Sequence, residues 1–422
     1  MRNVLQKAML LEFINARVLR GDELVAESVF VRDGRFVSAV AAEDTSTRRT
    51  IDCSGKIICP GFIDIQNNGA FGEDFSQAED LPLSISKCGK LLVRTGCTSF
   101  CPTLITSCPT FYKRVLPQVK IQTRNDVGCA NMLGLHLEGP MIHVKKSGCH
   151  PVELITDKGA LASRAEAEKL LSAVYGDNLD AVSIITLDAS TAGCEHLVDA
   201  IVERGIIANL GHSVCTYAQG ERMLAHGASG LTHLFNAMNE FTPTEPHLPG
   251  LITRRGVVGQ RRVKLSLDKV AMRPTILYYG FICDLVHVAA AAVPLCYKLN
   301  PEGLCLITDA MAALGLPDGE YTLGQAHVQV GGMPRAARRK GEDTLAGVIA
   351  PINECVRNFV ASTGCSLAFA LKAASLTPAL YLGVDHSKGK IEPGFDADFC
   401  LIDEDVNVYE TWINGKKCYS AN

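Results

Sequence analysis

Two histidines, two carboxylates and two side-chain amides stand at matching points of this chain. Glu138 ends the run MLGLHLE, His212 follows GIIANLG, His233 lies in GLTHLFN, Asp309 follows GLCLIT, and Gln66 and Asn68 follow GFIDI. Each sits at the end of a short apolar run with the composition of a buried strand. Two imidazoles and one carboxylate (Glu138, His212, His233) make a three-ligand set for a catalytic divalent ion, because a fourth position stays free for water or substrate. Zinc, one ion per subunit, is the expected metal. Such an ion lowers the pKa of water and polarises a carbonyl. Asp309 then suits transfer of the water's proton to a leaving amine. The expected chemistry is hydrolysis of an amide. Singly, each residue has a plain structural alternative: a strand-end histidine can merely be hydrogen-bonded, TDA at 308–310 can cap a helix, and Glu138 can belong to a turn with Gly139 and Pro140. Their recurrence at equivalent points favours chemistry.

The elements that would carry these residues follow one rhythm. From Pro60 onward the apolar runs GFIDIQ, CTSFCPT, MLGLHLE, AVSIITL, GIIANLGHS, GLTHLFN, ILYYGFICD and GLCLITD alternate with helical stretches such as RAEAEKLLSAVY and EHLVDAIVERG. Eight strands alternating with helices over residues 60–385 predict an α/β fold, a (β/α)8 barrel, in which all strand ends named above face one mouth. A doubly wound open sheet is disfavoured, since no glycine-rich dinucleotide turn follows the first strand. Residues 1–59 and 386–422 read differently, as short strands with Asp33-Gly34 and Asn414-Gly415 turns. They predict one small β-sandwich domain built from both termini. The basic run PRAARRK at 334–340 reads as a solvated loop or hairpin.

Composition narrows the partner. The 422 residues are 47% hydrophobic and 20% charged with a net charge of −4, which disfavours nucleic acid and anionic membranes and points to a small molecule. Seventeen cysteines, an odd number without a CxxC pair, predict buried thiols in a reducing compartment. The N-terminal MRNVLQKAMLLEF and the run from His287 to Cys296 are too short in apolar residues for a signal peptide or a membrane span. A cytoplasmic location is expected.

Seven motifs together resemble the N-acetylglucosamine-6-phosphate deacetylases, amidohydrolases, over essentially the whole chain, with the eukaryotic branch nearest. They are PGFIDIQNNGAFG at 60–72, GCTSFCPTLITS at 96–107, GLHLEGP at 134–140, GHS at 211–213, THLFNAM at 232–238, LITDA at 306–310 and AASLTPALYLG at 373–383. The resemblance implies hydrolysis of the acetamide of the 6-phosphorylated amino sugar to glucosamine 6-phosphate and acetate. It implies metal ligation by Glu138, His212 and His233, proton transfer by Asp309, and a homodimer. Gln66 and Asn68 stand where some relatives carry a second metal's histidines, so a single metal is implied. The resemblance also places Cys149, His150, Asn236, Ala237, His287, Leu345, Ala346 and Gly347 against the substrate.

Departures from the family pattern fall in the pocket rather than at the metal. Thr244 stands where relatives carry a phosphate-gripping arginine, with Lys145, Lys146 and Arg254 as replacement cations. Leu285 replaces a glycine, Ala346 a serine, and LDAS at 187–190 replaces LAPE. These departures motivate a second reading, the same reaction on a shifted N-acyl substrate. A third, a non-catalytic binding protein, is disfavoured because Glu138, His212, His233 and Asp309 are all present.

Overall fold

All eight predicted strands form, and they run parallel around a barrel: Phe62–Asn67, Cys97–Ile105, Leu135–Glu138, Val182–Leu187, Ile207–Leu210, Gly230–Leu231, Tyr278–Ile282 and Leu304–Ile307. The computed structural model describes residues 9–43, 47–125, 128–266 and 269–421. Residues 1–8 and 44–46, part of the N-terminal reading above, lie outside the described residues. Seven of the barrel strands are buried along their whole length, and in the fourth only Ser183 is half-buried, as strands covered by helices outside and side chains inside must be. The first and eighth strands meet where the Asp309 N–H donates to the Gln66 carbonyl at 2.9 Å. Buried Asp64 staples the same seam by accepting from the Thr308 N–H at 3.1 Å and the Thr308 hydroxyl at 2.5 Å.

Local chemistry explains the helices that return the chain. Ser163 caps Arg164–Tyr175, and Thr216 with Gln219 forms a reciprocal capping box on Tyr217–Ala225, so orphan N–H groups are satisfied at both starts. Gly364 and Gly383, both left-handed, end the helices Ile352–Thr363 and Leu376–Leu382.

The terminal segments assemble one sheet in the order Lys416–Ser420, Val408–Ile413, Phe399–Ile402, Ile57–Pro60, Leu10–Arg20, Glu23–Arg32, Arg35–Val37, with Arg48–Asp52 also beside Leu10–Arg20. Asp33-Gly34 and Asn414-Gly415 are the two-residue turns, all four residues at positive φ, as a type I′ hairpin requires. This single sheet, where a sandwich of two was expected, carries its own aromatic core: Phe13 meets Phe399 and Trp412 edge-on, each at 5.0 Å. Buried Lys388 binds Asp398 at 2.6 Å and Asp396 at 3.3 Å, while Arg124 reaches Asp396 and Asn131 reaches Asp398, tying barrel to satellite.

Two excursions were not legible beforehand. An antiparallel hairpin, Val257–Ser266 with Lys269–Ile276, separates the sixth and seventh barrel strands. After the eighth strand comes a three-stranded meander of Gly319–Leu323, Ala326–Gly331 and Ala336–Arg339. The basic run PRAARRK supplies its last strand: Arg335 and Lys340 are exposed, but Ala336 and Ala337 are buried. All seventeen cysteines are free thiols, fifteen of them buried. No helix among the described residues is long and apolar enough to cross a membrane.

Candidate metal centre and substrate cavity

The barrel mouth brings Glu138, His212 and His233 into contact. His233 Nε2 lies 2.9 Å and His212 Nε2 3.1 Å from Glu138 Oε1, and the two Nε2 atoms are 3.1 Å apart. Tetrahedral ligands about 2.0–2.1 Å from a metal stand roughly 3.3 Å from one another, so this triangle has the size of a ligand set. Protonation supports the same use. The His212 Nδ1–H donates to the Lys146 carbonyl at 2.6 Å, which leaves Nε2 as a bare lone pair aimed at the cluster. Glu138 Oε1 and His212 Nε2 are then two acceptors at one buried point, with His233 Nε2 beside both and His233 Nδ1 buried without a partner among the described residues, an arrangement a cation suits.

His150 also lies close, and Glu138, His150 and His212 make another group whose ligand atoms fall within 4.8 Å of one another. We favour His233 over His150 as the third ligand on two grounds. His150 Nε2 is 3.9 Å from Glu138 Oε2, and His150 Nδ1 accepts the Thr106 N–H at 3.2 Å, so its other nitrogen carries the hydrogen. Burial, followed by the neighbouring His212, pushes His150 down to about 3, so it stays neutral and presents Nε2–H as a donor.

Asp309 sits beside the cluster. Burial first, then the Glu138 charge, push its carboxyl up to about 7. Asn68 Nδ2 donates to Asp309 Oδ1 at 2.8 Å, and Gln66 Nε2 bridges Asp309 Oδ1 at 3.2 Å and Glu138 Oε1 at 2.9 Å. The amides thus fix both carboxylates. His212, His233 and Asp309 have φ of +48°, +28° and +53°. Left-handed backbone costs a non-glycine residue about 1–2 kcal/mol, and here it swings three strand-end side chains over the barrel mouth.

A cavity of about 310 Å³ opens above, lined among others by Lys145, Lys146, Cys149, Asn236, Ala237 and His287. His287 donates its Nδ1–H to Asp284 Oδ2 at 2.7 Å, leaving Nε2 for the cavity. Cys149 donates to the Leu345 carbonyl, and burial pushes its thiol up to about 12, so it is a neutral wall rather than a nucleophile. Asn236 Nδ2 is buried without a partner.

One predicted contact is corrected. Ala346 is fully buried with Met311, Leu323 and Val328 beneath the meander, while Leu345 and Gly347 line the cavity. The Ala346 N–H donates to the Ala337 carbonyl of the meander at 3.0 Å, and Gly347 then turns left-handed with φ of +67°. The missing serine hydroxyl at 346 therefore lies off the cavity wall. Arg254 is corrected too: it pairs with Glu221 at 3.4 Å and lines a separate depression with Leu224 and Val258.

Sequence reading missed a buried ion pair behind the site. Lys158, 3% exposed, reaches Asp188, 1% exposed, at 3.2 Å. Asp188 also accepts from the Ser213 hydroxyl at 2.5 Å, next to His212. Aspartate within LDAS was a visible signal; Lys158, thirty residues earlier in a loop, was not.

Leu285 has φ of +63° and is 36% exposed, which explains why glycine is favoured at this point of the turn that aims His287. Leu285→Gly is expected to stabilise the fold by up to about 1 kcal/mol, the relieved strain exceeding glycine's extra unfolded-state entropy. A urea midpoint lower than wild type would refute that account.

A model of the amidohydrolase family matches residues 298–418. The chain is 40% identical over 419 residues to the N-acetylglucosamine-6-phosphate deacetylase of Homo sapiens, covering 98% of this chain and 97% of that one. It is 30% identical over 403 residues to an N-acetylgalactosamine-6-phosphate deacetylase of Escherichia coli O157:H7, covering 94% and 98%. Its fold matches a variant N-acetyl-D-glucosamine-6-phosphate deacetylase of Mycobacterium smegmatis, solved in complex with N-acetyl-D-glucosamine-6-phosphate, with a TM-score of 0.79 and 28% identity, covering 98% of this chain and all of that one.

Proposed function

The chain belongs to the N-acetylglucosamine-6-phosphate deacetylase family, and from that membership we propose that it hydrolyses the acetamide of N-acetyl-D-glucosamine 6-phosphate to D-glucosamine 6-phosphate and acetate. The observation that carries the reading is the convergence of Glu138, His212 and His233 beside Asp309 at the floor of one cavity.

Glu138, His212 and His233 would hold one divalent ion, with zinc the best match to two imidazoles and one carboxylate. When bound, the metal supplies Lewis-acid polarisation of the acetamide carbonyl and makes water more acidic. Asp309 takes the proton of the attacking water and delivers it to the leaving nitrogen, a task for a carboxylate held beside the metal ligands. Gln66 and Asn68 keep Asp309 pointed at that proton. His287, braced by Asp284, faces the carbonyl, and the neutral His150 offers Nε2–H to a sugar hydroxyl. Cytosolic location and homodimerisation complete the proposal, on the strength of the free buried thiols and the family membership respectively.

A second reading, the same chemistry on another N-acyl sugar, draws on exposed, uncharged Thr244 and on the bacterial relative named for the C4 epimer. Acetate release from N-acetylglucosamine 6-phosphate and from N-acetylglucosamine, measured side by side on protein of known metal content, decides between them. Fast release from the phosphorylated sugar is expected. No release from either, with metal bound, moves the substrate to another N-acyl compound.

A further inference from the structure

We infer that Lys145 and Lys146 bind the substrate's phosphate and so set selectivity for the phosphorylated sugar; this rests on the substrate class proposed above. Both lysines line the cavity and both belong to one short turn, Val144–Lys146. They are the lysines and arginines of that lining, and no ion pair or hydrogen bond engages either ammonium among the described residues. Nearby cations are committed elsewhere: Lys158 to Asp188, Arg254 to Glu221, and Arg339 to Glu342.

The charge balance of the cavity calls for such groups. Glu138 and Asp309 lie at its floor, and a phosphate dianion entering a half-enclosed space above two carboxylates is repelled unless cations meet it. Lys145 is exposed and Lys146 half-buried, as expected of a rim that reaches a charged group projecting outward from the reacting amide. Asn236 Nδ2, buried and without a partner among the described residues, belongs to a residue lining the same cavity and adds a neutral donor.

The turn is also held in place. The Lys145 N–H donates to His143 Nδ1 at 3.1 Å and the Lys146 N–H to the His143 carbonyl at 2.9 Å. The Lys146 carbonyl accepts the Nδ1–H of His212. One turn therefore presents two cations to the phosphate end while orienting a ligand at the reacting end. Replacing a lysine side chain alters the first task and leaves the backbone of the second in place.

The test compares kcat/KM for N-acetylglucosamine 6-phosphate with that for N-acetylglucosamine in wild type, Lys145→Met, Lys146→Met and the double variant. The ratio is expected to fall about tenfold per lysine, the size of a lost hydrogen bond to a charged group, and to recover largely in Lys146→Arg. Calorimetric titration of the metal-loaded protein with glucose 6-phosphate, which has no acetamide to hydrolyse, reads phosphate recognition apart from turnover and should weaken in parallel. An unchanged ratio and unchanged glucose 6-phosphate affinity in the double variant overturn the inference, even with wild type active on the phosphorylated sugar. Wild type that binds glucose 6-phosphate through these lysines but releases no acetate would leave the inference standing and remove the substrate reading instead.

Discussion

Asp309→Asn is expected to lower kcat by roughly a hundred- to ten-thousandfold, the usual worth of a positioned acid–base group, with metal content unchanged. The amide keeps the size of the side chain but cannot accept the proton of water. The pH profile should change with it. Asp309 without a bound cation sits near 7, because burial and the Glu138 charge both disfavour its ionised form. A bound cation acts the other way and draws it below 7. The carboxylate is the working base, so wild-type activity should fall as pH drops through that lowered value, on the acid side of neutrality. In Asp309→Asn the residual activity should lack this limb. Turnover near wild type, or a preserved acid limb, would remove Asp309 from its role.

The second large effect concerns which histidines hold the metal. His212→Ala and His233→Ala are each expected to lower metal affinity by at least about a hundredfold, since even partners one bond further from a metal are commonly worth ten- to a hundredfold. Dialysed protein should then carry far less than one metal per chain. His150→Ala should keep its metal and lose substrate affinity, because His150 uses Nδ1 to accept the Thr106 N–H and turns a hydrogen-bearing nitrogen to the cavity. The reverse pattern, with metal lost from His150→Ala and retained in His233→Ala, would select the other cluster of Glu138, His150 and His212.

Much of this site was legible because a barrel converts sequence rhythm into geometry. Eight apolar runs predicted eight strands, and polar residues at their ends had to meet at one mouth. Glu138, His212, His233 and Asp309 were singled out by position, and the structure draws them together. Besides the meander, three things escaped. The face of Ala346 depended on a tie to the meander and a left-handed turn at Gly347, which neighbouring letters do not announce. The Lys158–Asp188 pair joins a loop to a strand end, and pairing of that kind leaves no local periodicity. The hairpin at 257–276 lies between two barrel strands and carries no residue of the candidate site, so nothing in the eight-strand rhythm announces it. Nor can letters show which nitrogen of a histidine carries the hydrogen. That assignment, from Thr106 and from Lys146, separates a ligand from a donor here.

The satellite sheet has a consequence for how the protein is made. Ile57–Pro60 lies between Leu10–Arg20, translated just before it, and Phe399–Ile402, translated only after the whole barrel. While the ribosome elongates through the barrel, that strand has one edge paired and the other bare, and Phe13 waits without Phe399 and Trp412 to cover it. A bare, apolar strand edge is a template for pairing with other chains. Synthesis halted before Phe399 would therefore release a barrel with its sheet open on one side, prone to stick to its own kind, whereas the finished chain closes that edge itself.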